Sequence, residues 1–240
     1  MIIGRGMLGK ALINIDSEKY LFYVNGISNS VIDEIPDDNF EAQQIKEIAE
    51  KIGDKTFIYL STSQVNRKEN FCRPYVLHKH KMEILAAKLF PNYIIVRTSN
   101  LVGNNAWNNH TLFNYLYNSL NEGNEIYVNE LIIRNVLDVD HFVLLFEYYL
   151  NNFFTKNCTI DLVNPVSFNM REILSAFETT FSKKFSRNQL DDHFAYFGAP
   201  CNLSSKLVAQ CNISLENYLL NLLNKYYLHV GKNELNKIVR

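Results

Sequence analysis

Three glycines, in Gly4-Arg5-Gly6-Met7-Leu8-Gly9, follow the apolar pair Ile2-Ile3 and open an apolar stretch that runs to Ile13. This spacing constrains the fold more than any other part of the chain. Gly4 permits a tight turn after a strand, Gly6 lets backbone amides approach a pyrophosphate, and Gly9 lets the following helix pack on the strand. The helix amino terminus adds partial positive charge. An ordinary strand-to-helix turn can carry the same glycines, but the loop follows the first strand and opens a helix, the context of a dinucleotide site. The expected cofactor is therefore NAD or NADP, held by Gly4, Arg5, Gly6, Met7 and Leu8, with Asn25 and Gly26 at the end of the next apolar run. An acid about 20 residues after such a loop usually binds the adenosine ribose. Here the run from Tyr20 ends at Asn25-Gly26 instead; Arg5 either faces a 2′-phosphate, which tilts the expectation weakly to NADP, or is an exposed, solvated side chain.

Strand and helix patterns then alternate. Tyr20 to Val24 has strand character. A helix is expected from about Phe40, capped by Asn39, to Ile52, with Ile45, Ile48 and Ile52 on one face and Gly53 past its end. Thr56 to Leu60 fits a buried strand, Pro74 starts a helix to about Leu89, and Tyr93 to Val96 is another strand. Further on come a helix from about Thr111 to Asn121 closed by Gly123, strands at Glu125 to Val128 and Leu131 to Val136, and a helix opened by Asp138 or Asp140. A strand at Thr159 to Leu162, a helix capped by Ser167 or Asn169 and a last helix from Ser214 complete the pattern. The expected fold is α/β, a Rossmann-like, mostly parallel sheet with helices on both faces, shortened in its first half, plus a small carboxyl-terminal substrate lobe. Residues 1–165 form the core, with 104–130 contributing to the lobe, and 166–240 form the mostly helical lobe of one folding unit.

A net charge of -1 over 240 residues argues against a nucleic-acid partner, which needs a basic face. Cys72, Cys158, Cys201 and Cys211 are too scattered for a disulfide framework or a structural metal, so no metal is expected. No apolar run approaches the roughly 18 residues of a membrane span, and the start of the chain leaves no room for a signal peptide. A soluble cytoplasmic protein is expected.

The 14 tyrosines give a single Tyr-x-x-x-Lys, at Tyr75 and Lys79. Pro74 suits the first helical turn, so both side chains share one helical face, and Thr62 lies just past a strand that points into the same crevice. A phenol with a pKa of about 10 is a poor base at neutral pH; lowering it by three units needs about 4 kcal/mol, within reach of an ammonium and a nicotinamide cation. In this assignment Tyr75 exchanges a proton with an alcohol, Lys79 tunes it and holds the nicotinamide ribose, and Thr62 orients the substrate oxygen. A packed tyrosine beside a surface lysine is the alternative.

These segments resemble the extended short-chain dehydrogenases/reductases, the NAD-dependent epimerase/dehydratase family, which act mostly on nucleotide sugars. Phe57 to Val65 is similar to that family's Ser/Thr strand, Pro74 to Lys79 to its Tyr/Lys helix, Ile95 to Gly103 to its Arg-x-x-Asn-x-x-Gly segment, and Ile133 to Asp140 to its Arg-Asp-x-x-His-Val stretch. Val163 to Ile173, Leu203 to Leu207 and Ile213 to Glu216 resemble later landmarks. The resemblance implies that Asn100 meets the sugar or first phosphate, Arg134 pairs with the nucleotide diphosphate, and Thr98 and Ser99 border the nicotinamide. An ion pair to Asp138 or Asp140 is the alternative role for Arg134. It also implies a nucleotide-sugar ketoreductase or epimerase of surface polysaccharide biosynthesis, and a homodimer formed through the helices near Phe40 to Ile52 and Tyr75 to Leu89.

Two departures bear on function. Ser63 and Gln64 stand where dehydratases of the family carry Asp-Glu, so no 4,6-dehydratase activity is expected. The chain from the glycine loop to Thr62 is also short, as if two strands were deleted and the Tyr20 run were the family's fourth strand. The second function class is a catalytically degenerate relative used for ligand binding, regulation or assembly.

Overall fold

The computed structural model describes residues 1–27, 38–103, 111–190, 196–197 and 202–228. Its elements are β1 (Ile2–Ile3), α1 (Met7–Ala11), β2 (Tyr20–Tyr23), α2 (Asp38–Ala49), β3 (Thr56–Thr62), α3 (Pro74–Leu89), β4 (Tyr93–Thr98), β5 (Asn100–Val102), α4 (Leu112–Glu122) and β6 (Glu125–Val128). There follow β7 (Ile133–Asp138), α5 (Val139–Asn152), β8 (Cys158–Leu162), β9 (Ser167–Asn169), α6 (Met170–Phe181), β10 (Ser186–Gln189), β11 (Tyr196–Phe197), α7 (Asn202–Gln210) and α8 (Tyr218–Tyr226).

The main sheet has the order β1-β2-β3-β4-β8, and every pair in it is parallel. All seven residues of β3 are buried, as a central strand covered on both faces requires. Alternation sorts the side chains. Phe22, Ile58, Leu60, Ile94 and Val96 face Leu12, after α1, and Phe142, Leu145 and Phe146 of α5. Leu21, Tyr23, Phe57 and Tyr59 face Ile45 of α2 and Met82 and Ala86 of α3.

This arrangement carries the shortened topology. α1 lies on one face and α2 and α3 on the other, yet the strands advance in one direction from β1 to β4. The β1-α1-β2 connection therefore has the opposite hand to β2-α2-β3 and β3-α3-β4, although such crossovers are nearly always of one hand. In a doubly wound sheet the helix after the first strand leads to a strand on its far side. Here α1 leads straight to β2 on the near side, as a sheet missing two strands would. Among the described residues β1 is thus an edge strand.

A second core joins Phe113, Leu116 and Leu120 of α4, Ile126 of β6, Val136 of β7, Ile173 and Phe177 of α6, and Leu219, Leu222 and Leu223 of α8. Met7, Leu8 and Ala11 pack against it, so α1 touches both cores. Small sheets serve this region: β10 pairs with β6, and β7 pairs with β5, β9 and β11.

Most expected elements form, with instructive shifts at their ends. Pro74 to Leu89 matches its helix at both ends. Asn169 caps α6 through a capping box with Glu172, and Asp138 caps α5 by accepting from the Asp140 amide at 2.8 Å. Gly123 closes α4 at φ 72°. α2 stops at Ala49, earlier than Ile52, and Gly53 follows the turn at φ 62°; the Asn39 side chain lies outside the described ones. The last helix starts at Tyr218 rather than Ser214, and α7 was not anticipated as a helix. Among the described residues no helix is long and apolar enough to cross a membrane, and no group of three His, Cys, Asp or Glu is poised to hold a metal.

Candidate active site

Thr62, Tyr75, Lys79 and Thr98 gather around the carboxyl ends of β3 and β4. Thr62 ends β3 and its Cα pairs in register with that of Thr98, which ends β4. From Thr62 the chain passes through two short 3-10 turns, Ser63–Asn66 and Lys68–Cys72, before Pro74 starts α3. The loop is held by its own polar groups: the Gln64 amide donates to Thr62 Oγ1 at 3.3 Å, Asn70 Nδ2 to Gln64 O at 3.1 Å, and Arg73 Nη1 to Gln64 Oε1 at 3.4 Å. It delivers Tyr75, in the first turn of α3, to the neighbourhood of the Thr62 side chain.

Tyr75 and Lys79 are both buried. Burial pushes the Tyr75 phenol up to about 12; the nearby Thr62 side chain works against this and the Glu41 carboxylate works with it. Lys79 Nζ donates to Tyr59 Oη at 3.2 Å and to Leu60 O at 3.3 Å, and lies 3.8 Å from Glu41 Oε1. Burial lowers the Lys79 pKa while the charges of Glu41 and Glu83 oppose that shift.

Glu41 is the residue that sequence reasoning missed. Only 5% exposed, it accepts from Tyr59 Oη at 2.9 Å and the Ile27 amide at 3.2 Å, and pairs with His78 Nε2 at 2.8 Å. Burial alone would raise its pKa, but the His78 bond, the Lys79 charge and the Tyr59 bond hold it down to about 2. The signal was present: Glu41 lies one turn before Ile45 on the apolar face of its helix, where a lone carboxylate needs buried partners.

A second buried carboxylate braces the strands. Glu83 accepts from Ser61 Oγ at 2.5 Å and from both Nε and Nη2 of Arg97, at 2.9 and 2.6 Å. This two-pronged guanidinium contact links α3 to β3 and β4.

The glycine loop has the local geometry of close packing. Gly4 has φ 129°, and a Cβ there would lie 2.7 Å from a Val24 methyl; a Cβ on Gly9 would lie 2.2 Å from Gly4 O. A Cβ on Gly6 would meet nothing within 4 Å, so this position opens to space. Met7 approaches Gly103, beyond β5, closely enough that a Cβ there would lie 2.8 Å from the Met7 sulfur. A Cβ on Gly26 would lie 2.4 Å from Lys79 Nζ and 2.6 Å from Glu41 Oε1. Asn25 and Gly26 are thus next to the lysine, with Asn25 Nδ2 donating to Gln44 Oε1 at 3.2 Å. Arg5 is exposed.

Thr98 Oγ1 and Ser99 Oγ are buried with no hydrogen-bond partner among the described residues. Buried hydroxyls are rarely left so. Beside Thr62, and with open space at Gly6, these two orphaned donors fit a polar ligand such as a nicotinamide cofactor.

Asn100 and Arg134 belong to the neighbouring β5-β7 pair. Asn100 Nδ2 donates to Asn135 O at 2.9 Å. Arg134 is the only charged residue among those described that line a cavity of about 220 Å³, whose apolar walls include Leu116, Ile126, Tyr127, Ile132 and Met170. Asp138 and Asp140 each pair with Lys225, at 2.8 Å.

No family model and no curated protein matches the chain. Solved structures do. UDP-glucuronic acid 4-epimerase from Bacillus cereus, in complex with UDP-glucuronic acid and NAD, matches at TM-score 0.70 and 17% identity, over 95% of this chain and 79% of that one. The chain has the extended short-chain dehydrogenase/reductase fold. UDP-N-acetylglucosamine 4-epimerase from Methanobrevibacter ruminantium M1, in complex with UDP-N-acetylmuramic acid, shares that fold at TM-score 0.68 and 13% identity, over 95% and 80% of the two chains. RMD from Pseudomonas aeruginosa, complexed with NADPH, does so at TM-score 0.65 and 13% identity, over 88% and 81%.

Proposed function

We propose that the protein is an NAD(P)-dependent oxidoreductase or epimerase acting on a nucleotide-linked sugar. One observation carries the reading: Thr62 and Tyr75 come together, with Lys79 one turn further along α3, where β3 and β4 end and the hydroxyls of Thr98 and Ser99 are unpartnered among the described residues. Structural neighbours bound to NAD, NADPH and UDP-sugars support it.

Gly4, Arg5, Gly6, Met7 and Leu8 hold the cofactor's phosphates, Asn25, Gly26 and Lys79 the ribose side, and Thr98 and Ser99 the nicotinamide. When bound, the cofactor supplies or accepts the hydride. Tyr75 gives its phenolic proton to a sugar carbonyl oxygen during reduction, or takes the proton of the sugar hydroxyl during oxidation, while Thr62 orients that oxygen. The phenol's raised pKa keeps it a proton donor at neutral pH. Exposed Arg5 gives NADP a modest advantage over NAD through the 2′-phosphate.

Arg134 pairs with the nucleotide diphosphate at the rim of its apolar cavity, which takes the base, and Asn100 contacts the sugar end. Ser63 and Gln64 supply no acid or base, and Gln64 is occupied by Arg73, so the protein is not a 4,6-dehydratase. Phe40, Leu77 and Ile84 are exposed on α2 and α3, and their burial between two copies makes a homodimer. The reaction serves surface polysaccharide synthesis in the cytoplasm.

The test is the nucleotide content and turnover of purified protein. Tightly held NAD indicates an epimerase, and empty protein that binds NADPH indicates a reductase. Tyr75→Phe lowers turnover by at least about a hundredfold with little change in folding, and turnover near the wild-type rate excludes the assignment.

A second reading has its own observation in favour. No carboxylate closes β2, and Asn25 there is engaged with Gln44, while among the described residues β1 has no strand on its far side. On this reading the chain keeps the fold for ligand binding without turnover. Dinucleotide or UDP-sugar binding without turnover under any tested pairing is its signature.

A further inference from the structure

We propose that Glu41 is a positioning residue of this site, which keeps the Lys79 side chain charged and fixed against the turn at Asn25, Gly26 and Ile27. The inference rests on the proposed function for its catalytic meaning, but its geometry stands alone.

Lys79 is 4% exposed, and an ammonium so buried is costly unless a counter-charge is at hand. Its hydrogen bonds go to neutral acceptors, Tyr59 Oη and Leu60 O. Glu41 Oε1, at 3.8 Å, is the carboxylate that pairs with it. Glu83 adds to the same field but is engaged with Arg97 and Ser61. The Glu41 carboxylate is itself over-determined by His78, Tyr59 and the Ile27 amide, which fixes it from α3, β3 and the β2 loop at once. Among the described residues Tyr23 of β2 and Tyr75 of α3 also lie in its field.

Two consequences follow. The ammonium is held at a defined place beside Gly26, where the space a Cβ would take is filled by Lys79 and Glu41. Its charge is also offset before it reaches Tyr75, so the phenol keeps its proton and the relay rests in the proton-donating state used for reduction.

The test is the titration of Lys79 followed by NMR of lysine carrying a ¹³Cε label, with the resonance assigned by its loss in Lys79→Met. In the wild type Lys79 is charged at neutral pH. In Glu41→Gln its midpoint falls by roughly one pH unit, and in Glu41→Asp, with the carboxylate drawn back, it falls by less. A purely structural role lowers the melting temperature and leaves the Lys79 midpoint where it was. An unchanged midpoint in either folded variant overturns the proposal, and so does a wild-type Lys79 that is already neutral at pH 7. Should the midpoint shift as expected while the wild type binds no dinucleotide, the functional reading fails and the Glu41 role survives.

Discussion

The Tyr75 phenol and the Thr62 side chain meet where the carboxyl end of β3 approaches the first turn of α3. Two elements joined by a loop of 3-10 turns thus converge on one reacting position. In the proposed function Tyr75→Phe removes the proton and keeps the ring. Turnover falls by about 10² to 10⁴, while the melting temperature changes little, since the buried ring still packs against Val65 and Val76. Steady-state kinetics beside thermal unfolding checks both halves.

Acid stability reports on Glu41. Its folded pKa of about 2 lies below the 4.5 of a free glutamate, so the group stabilises the fold above that higher value and loses this contribution as pH falls toward 2. The stake is roughly 3 kcal/mol. Denaturant unfolding from pH 6 to pH 2 will show this loss in the wild type, and Glu41→Gln, less stable at neutral pH, will show a shallower decline. Parallel curves would count against the buried ionised carboxylate.

Much of this architecture was legible in the chain. Pro74 announced the start of α3 because its ring fits only the first turn, and Gly123 the end of α4 because it alone there accepts a left-handed backbone cheaply. The lone Tyr-x-x-x-Lys gave a helical pair whose position at the strand ends came from the alternating pattern. What stayed hidden depends on contacts distant in sequence. Glu41 resembles an ordinary helix glutamate until His78, Tyr59 and Lys79 close around it. The start of α8 was misplaced because no side chain caps it; Asn217 precedes it in the left-handed region, and Tyr218 is anchored by its tertiary bond with the Asp138 amide.

A structural prediction concerns Asn135. It is fully buried and donates to Asn164 O at 2.7 Å and Ser167 Oγ at 3.0 Å, while its Oδ1 accepts from the Asn164 amide at 3.0 Å. Asn135→Ala strands several buried polar groups, at a cost of about 3 kcal/mol. Chemical denaturation checks the value, and a loss below about 1 kcal/mol would contradict this tie between β7 and the loop after β8.

Substrate recognition is separable from the cofactor. Arg134→Ala should weaken UDP binding by about 2 kcal/mol, some thirtyfold, and leave dinucleotide affinity unchanged. Calorimetric titration with each ligand distinguishes this from a general loss of structure, which would weaken both.

The most direct measurement for the central claim, a nicotinamide dinucleotide lying on the opening glycine loop, is a fluorescence titration of NADH and NADPH into the wild type and Gly6→Ala. A Cβ at Gly6 meets no protein atom within 4 Å, so the variant should fold and melt like the wild type. The account predicts saturable binding by the wild type and at least about tenfold weaker binding by Gly6→Ala, because the added methyl stands where the pyrophosphate must approach the backbone. Equal affinity in the two proteins, or no binding of either dinucleotide by the wild type, would contradict it.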